Sequence, residues 1–155
     1  MGSIEPRAAT AGLSPRLRAV VEALPLRPGL RVVEIGCGPG AAARAVAHLV
    51  GPTGHVLAVD RSAKAVAQVT GSAGALIAGG RLSVRQAAVE ELELEPGEEP
   101  YDLAFAVRVG ALDGRHPEAG AVALERLAQV LVPGAPLFVD RGDPLRRIEL
   151  PSRSG

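Results

Sequence analysis

At 155 residues, with zero formal net charge and one cysteine, the chain is sized for a single domain. It has no global field to draw it to nucleic acid or an anionic membrane, and one thiol excludes an internal disulfide or a multi-cysteine zinc site. Apolar residues make up 47%, yet two Phe, one Tyr and no Trp leave the core to Ala, Val and Leu. No run approaches the roughly 20 apolar residues that cross a bilayer, and no apolar signal core opens the chain. A cytoplasmic protein that binds neither membrane nor nucleic acid is expected.

Residues 1–13 are small and mixed, without periodicity, and are expected to form a flexible N-terminus. Ser14-Pro15 then opens a short helix, with Ser as N-cap, Pro at the first helical position and Leu17, Val20, Val21 and Leu24 on one face. Pro25 to Gly29 ends it. Strands are predicted at Arg31–Ile35, His55–Val59, Leu82–Gln86, Asp102–Val107 and Leu137–Asp140. Helices are predicted over residues 41–50, 62–78 and 118–131, the second split near Thr70-Gly71 because interior glycines weaken it. Nearly continuous apolar strands such as Val56-Leu57-Ala58-Val59 suit a parallel sheet buried on both faces. The alternation gives an α/β, Rossmann-like doubly wound domain over 14–141, with a mainly parallel five-stranded sheet and a short tail over 142–155. Six Glu between Glu90 and Glu99 read as a solvated acidic loop around Pro96-Gly97.

Gly36, Gly38 and Gly40 follow the first strand directly and precede an Ala-rich helix. Glycines there allow a tight turn and close approach of a ligand to the backbone, and the helix N-terminus adds free N–H groups. Two ligand classes fit. One is a dinucleotide such as NAD, since Gly36-Cys37-Gly38-Pro39-Gly40-Ala41 satisfies the looser form of that fingerprint. The other is S-adenosylmethionine, which carries an ammonium and a carboxylate but no phosphate. Glu34 bears on the choice, because a carboxylate at the strand end interacts with an ammonium, directly or through water, and repels a pyrophosphate.

The segment Val32-Val33-Glu34-Ile35-Gly36-Cys37-Gly38-Pro39-Gly40 resembles the first motif of class I S-adenosylmethionine-dependent methyltransferases, and the similarity runs from about Ser14 to Asp140. Asp60 matches the acidic residue that ends the family's second strand and holds the ribose hydroxyls; helix capping is its alternative role. Tyr101-Asp102-Leu103-Ala104-Phe105-Ala106 resembles the fourth-strand motif, and Ala123 to Gly134 the helix and Pro-Gly turn before the fifth strand. The resemblance implies that Glu34, Gly36, Cys37, Gly38, Gly40, Asp60, Arg61, Ala88, Val89 and Ala106 hold S-adenosyl-L-methionine, with S-adenosyl-L-homocysteine as product. Cys37 either gains a lowered pKa from the helix N-terminus or packs beside the cofactor.

Three departures from the family pattern stand out. Ala88 occupies the place where an Asp or Asn often meets adenine. The family's C-terminal strand pair is incomplete here, with room for one short strand through Leu145–Leu150, so the fifth strand is expected to leave an edge for a second copy of the chain or a partner subunit. Little of the chain is available to wall in an acceptor. Ligands of such sheets lie beyond the carboxyl ends of the strands. That directs attention to Arg108, Asp113 and His116 after the fourth strand, with His116 as a base and Arg108 for an anionic group or an ion pair to Asp113. Asp140 and Asp143 are secondary candidates. The leading reading is a methyltransferase acting on a small-molecule acceptor. A non-catalytic subunit that binds S-adenosylmethionine or its product is the alternative, and an NAD-binding oxidoreductase the least favoured.

Overall fold

Val32, Val33, Val56 and Leu57 are wholly buried, as strands covered on both faces must be. They lie side by side in a computed structural model that describes residues 6–112 and 114–152. Its elements are helices α1 (Pro6–Thr10) and α2 (Pro15–Ala23), strand β1 (Arg31–Ile35), helix α3 (Ala41–Val50), strand β2 (His55–Asp60) and helices α4 (Ala63–Ser72) and α5 (Gly74–Ala78). After them come strands β3 (Leu82–Gln86) and β4 (Leu103–Ala106), helix α6 (Pro117–Val130) and strands β5 (Leu137–Val139) and β6 (Arg146–Ile148). Single 3-10 turns occur at Val89–Glu91 and Gly110–Leu112.

The sheet order is β3-β2-β1-β4-β5-β6, parallel throughout except for β6. The chain therefore winds outward from β1 in one direction and returns beside β1 to wind in the other. The reversal opens a crevice at the carboxyl ends of β1 and β4, where such sheets take ligands. Strand alternation divides the core. Val32, Val56, Ala58, Leu103 and Phe105 face α2 and α3, whereas Val33, Leu57, Val59, Ala104 and Leu137 face α6. Helix α3 buries Ala42, Ala43, Ala45, Val46, Ala47 and Val50, so small side chains bring its axis close to the sheet.

Four expectations are corrected. The sheet has six strands rather than five: β6 runs antiparallel along β5, pairing Leu137 with Ile148, and takes the edge that was expected to need a second copy of the chain. Within the stretch expected to be flexible, Pro6–Thr10 form a helix. Thr10 is buried there and donates its hydroxyl to Glu22 Oε2 at 2.9 Å, a contact that periodicity does not reveal. The helix over 62–78 is broken at Ala73, whose amide closes α4 on Val69 and whose side chain is buried, so the break comes after the glycine expected to cause it. The acidic loop is tied down rather than merely solvated. Arg85 contacts Glu95 at 3.2 Å and Glu98 at 2.9 Å, and the Tyr101 hydroxyl donates to Glu98 at 2.6 Å.

Among the described residues, no helix is long and apolar enough to cross a membrane.

Candidate functional site

The turn after β1 is anchored on β2. The amides of Gly36 and Cys37 both donate to the Val59 carbonyl, at 2.7 and 3.0 Å. Gly36 has φ +73°, and a Cβ there would lie 2.7 Å from Val109 Cγ2, so the loop after β4 can seat against the turn only because residue 36 is glycine. Gly38 has φ +54° and turns its amide to Asp60 Oδ2 at 3.0 Å. Gly40 begins α3 with no side-chain cap, which leaves the first-turn amides of that helix to other acceptors.

Asp60 closes β2 with both carboxylate oxygens engaged once. Oδ2 accepts from Gly38 and Oδ1 from the Ser62 amide at 2.9 Å. A carboxylate offers about four lone-pair positions. One therefore stays open on each oxygen, side by side, which is the pattern a vicinal diol requires. The N-cap of α4 is Ser62, whose hydroxyl accepts from the Ala65 amide, so the capping role expected of Asp60 falls to Ser62, and Asp60 fastens the link just before the helix.

Glu34 sits at the far end of β1, 2% exposed, and its Oε1 has no hydrogen-bond partner. Burial pushes the carboxyl well above its ordinary 4.5, the nearby Asp60 charge adds to this, and a backbone bond from Ala43 opposes it. A buried acceptor without a donor is costly. Cys37 packs beside it at 6% exposure; burial, then the charges of Glu34 and Asp60, push the thiol up to about 12. The helix N-terminus therefore gives no reactive thiolate.

A cleft of about 600 Å³ opens over this turn. Asp60, Arg61, Ala87, Ala88, Val89 and Glu90 form its wall on the β2 side. Arg108 to Ala111, Arg115, His116 and Ala119 form the wall on the β4 side, with Ile35 and Gly36 between. Of the expected cofactor residues, Gly36, Asp60, Arg61, Ala88 and Val89 thus meet at one cleft. Glu34, Cys37, Gly38, Gly40 and Ala106 are not among the residues that line it. Ala106 is 1% exposed in the second core, paired with Ile35 and Val139.

Arg108 and His116 both line the cleft, and Asp113 lies outside the described residues. Arg108 is the one described non-glycine residue with positive φ, at 57°. Its amide donates to Asp140 Oδ1 at 3.1 Å, while Asp140 Oδ2 takes the Arg16 guanidinium of α2. The secondary candidate Asp140 is therefore a brace for the loop after β4. His116 is exposed at the start of α6. His55 is bound between the Gly80 carbonyl and the Ser83 hydroxyl, at 2.8 Å each, away from the cleft. Arg115, Val109 and Ala119 were not singled out from the sequence. Only their place after β4 marks them.

The chain matches a family profile described as a methyltransferase domain over residues 32–134. It is 32% identical over 124 residues to an uncharacterized 37.1 kDa protein in transposon TN4556 of Streptomyces fradiae, covering 80% of this chain and 33% of that protein. Among solved structures, it resembles an arsenic(III) S-adenosylmethionine methyltransferase from Chlamydomonas reinhardtii, with 26% identity and a TM-score of 0.62 over 93% of this chain and 52% of that one. A SAM-dependent methyltransferase from Aquifex aeolicus matches with 20% identity and a TM-score of 0.65, over 92% of this chain and 79% of that one; this likeness concerns the fold. The chain spans about a third of the length of the Streptomyces protein and about half of the Chlamydomonas chain.

Proposed function

The chain belongs to the methyltransferase-domain family, and from that membership we propose that it binds S-adenosylmethionine in the cleft over Gly36 and transfers the methyl group to a small-molecule acceptor, leaving S-adenosylhomocysteine. The observation that carries this reading is the pair of acceptors around the glycine turn: Asp60 with an open lone pair on each oxygen, and Glu34 with an orphaned Oε1. The first suits ribose hydroxyls and the second an ammonium. A dinucleotide would use Asp60 equally well but gives Glu34 no cation.

When bound, S-adenosylmethionine supplies an activated methyl on a sulfonium, so the protein's work is alignment. Asp60 would hold the ribose, and Glu34, whose carboxyl already takes a backbone bond from Ala43 in the first turn of α3, the ammonium. Ala88 offers no side-chain donor to the base, which leaves polar contact there to the backbone of Ala88 and Val89 or to Glu90. Arg108 and His116 stand on the β4 wall, across β1 from Asp60, where an acceptor would approach. His116 can take a proton from an acceptor that must lose one.

Ala88 also favours the second reading, a subunit that binds S-adenosylmethionine or its product without catalysis. Methyl-tritiated S-adenosylmethionine, incubated with the protein and pooled small molecules, separates the two. Label in a small-molecule fraction supports transfer. Tight binding of S-adenosylhomocysteine with no label in any fraction supports the non-catalytic subunit.

A further inference from the structure

A second cavity of about 360 Å³ lies on the α6 face of the sheet, and it shares Ala111 and His116 with the cleft over Gly36. Its floor is Leu137 and Val139 of β5 and Ile148 of β6; Leu112 and Leu124 stand on its sides. That is the makeup of a small-ligand site, apolar walls with a few polar groups. Its polarity is one-sided. Arg141 and Arg146 line it, and among the described residues no Asp or Glu does.

The two arginines face the cavity for reasons built into the fold. Arg146 shares a strand face with Ile148, whereas Arg147 between them points the other way and pairs with Glu149 at 3.4 Å. Arg141 follows β5, and its guanidinium reaches the loop before α6, where a Cβ at Gly114 would lie 3.6 Å from Nη1. Gly114 and His116 line the cavity beside it.

We propose that this cavity binds an apolar molecule carrying a carboxylate, with the hydrocarbon on Leu124, Leu137 and Ile148 and the carboxylate at Arg141 and Arg146. The cavity gives the acceptor's apolar body a seat that ends at the shared wall of His116; this last step rests on the methyl-transfer reading. Charge complementarity selects the occupant, because an apolar cation of equal length would meet two guanidinium groups with no counter-charge among the described lining residues.

The test is calorimetric titration of decanoate into the full chain, with decyltrimethylammonium as the cationic counterpart. Wild type should bind decanoate at least 10-fold more tightly than the cation. The double variant Arg141→Gln/Arg146→Gln, altered only at exposed side chains, and the cavity-filling Leu124→Trp should each weaken decanoate at least 10-fold. Both should keep their affinity for S-adenosylhomocysteine within twofold. Absence of decanoate binding, equal binding of the cation, or undiminished binding in both variants would overturn the site. So would a dimer in sedimentation that Leu124→Trp dissociates, since the cavity would then belong to a second copy of the chain. Decanoate binding without any S-adenosylhomocysteine binding would sink the cofactor reading and leave the cavity standing. Methyl label recovered only in apolar amines would remove the acceptor assignment.

Discussion

The carboxylate of Asp60 and the amide of Gly38 meet at 3.0 Å, joining the end of β2 to the middle of the glycine turn. One side chain thereby shapes the turn and faces the cleft. Asp60→Asn keeps an acceptor and loses the charge. Hydrogen bonds to charged groups are worth about 1.5–3 kcal/mol, so affinity for S-adenosylhomocysteine should fall roughly 10- to 150-fold while the domain stays folded. Gly38→Val, which places a β-branched residue at φ +54°, should abolish binding. Calorimetry with a circular-dichroism melt checks both; undiminished affinity in either places the ligand elsewhere.

Glu34 sets a pH dependence. Its folded carboxyl lies above the ordinary 4.5, so its contribution to stability is present in full below about pH 4.5 and is lost as pH rises through the raised folded value. Relative to wild type, Glu34→Gln should therefore melt higher at pH 8, on the order of 2–4 °C for each kcal/mol recovered in a domain of this size. A ligand ammonium favours the ionised form, so wild-type affinity for S-adenosylhomocysteine should rise with pH over the same window and should stay flat in the variant. Parallel pH profiles in the two proteins would separate Glu34 from the ligand.

Asp140 holds Arg108 in a conformation that non-glycine residues enter at a cost of about 1–3 kcal/mol. Asp140→Ala should lower the melting temperature by several degrees, and Arg108→Gly in that background should recover part of the loss, because glycine needs no brace at φ 57°. Simple additivity of the two substitutions would show that the residues are not coupled.

The Cys37 thiol, buried and raised to about 12, should resist iodoacetamide at pH 8 in the native protein and react promptly in denaturant. Rapid native labelling, followed by mass spectrometry, would contradict this packing beside Glu34.

The glycine turn was legible in the sequence because its signals are local: a strand, three glycines in five residues and a helix, with Asp60 ending the next apolar run. The boundaries of β1, β3 and α3 agree with the sequence reading for the same reason. What stayed hidden depends on distant contacts. Nothing near Arg108 announces a bond to Asp140, 32 residues on. The helix at Pro6–Thr10 is held by Glu22, and the break at Ala73 is fixed by burial against the core rather than by Gly71. Ala106 fits the fourth-strand motif, yet strand alternation turns it into the core, and the cleft wall starts two residues later. The orphaned oxygen of Glu34 follows from its depth, which spacing does not encode.

The proposed ligand over Gly36 is S-adenosylmethionine rather than a dinucleotide. Parallel calorimetric titrations of the full chain with S-adenosylhomocysteine and with NAD test it most directly. Saturable one-to-one binding of S-adenosylhomocysteine with no heat from NAD is the expected result, and binding of NAD alone would contradict the account.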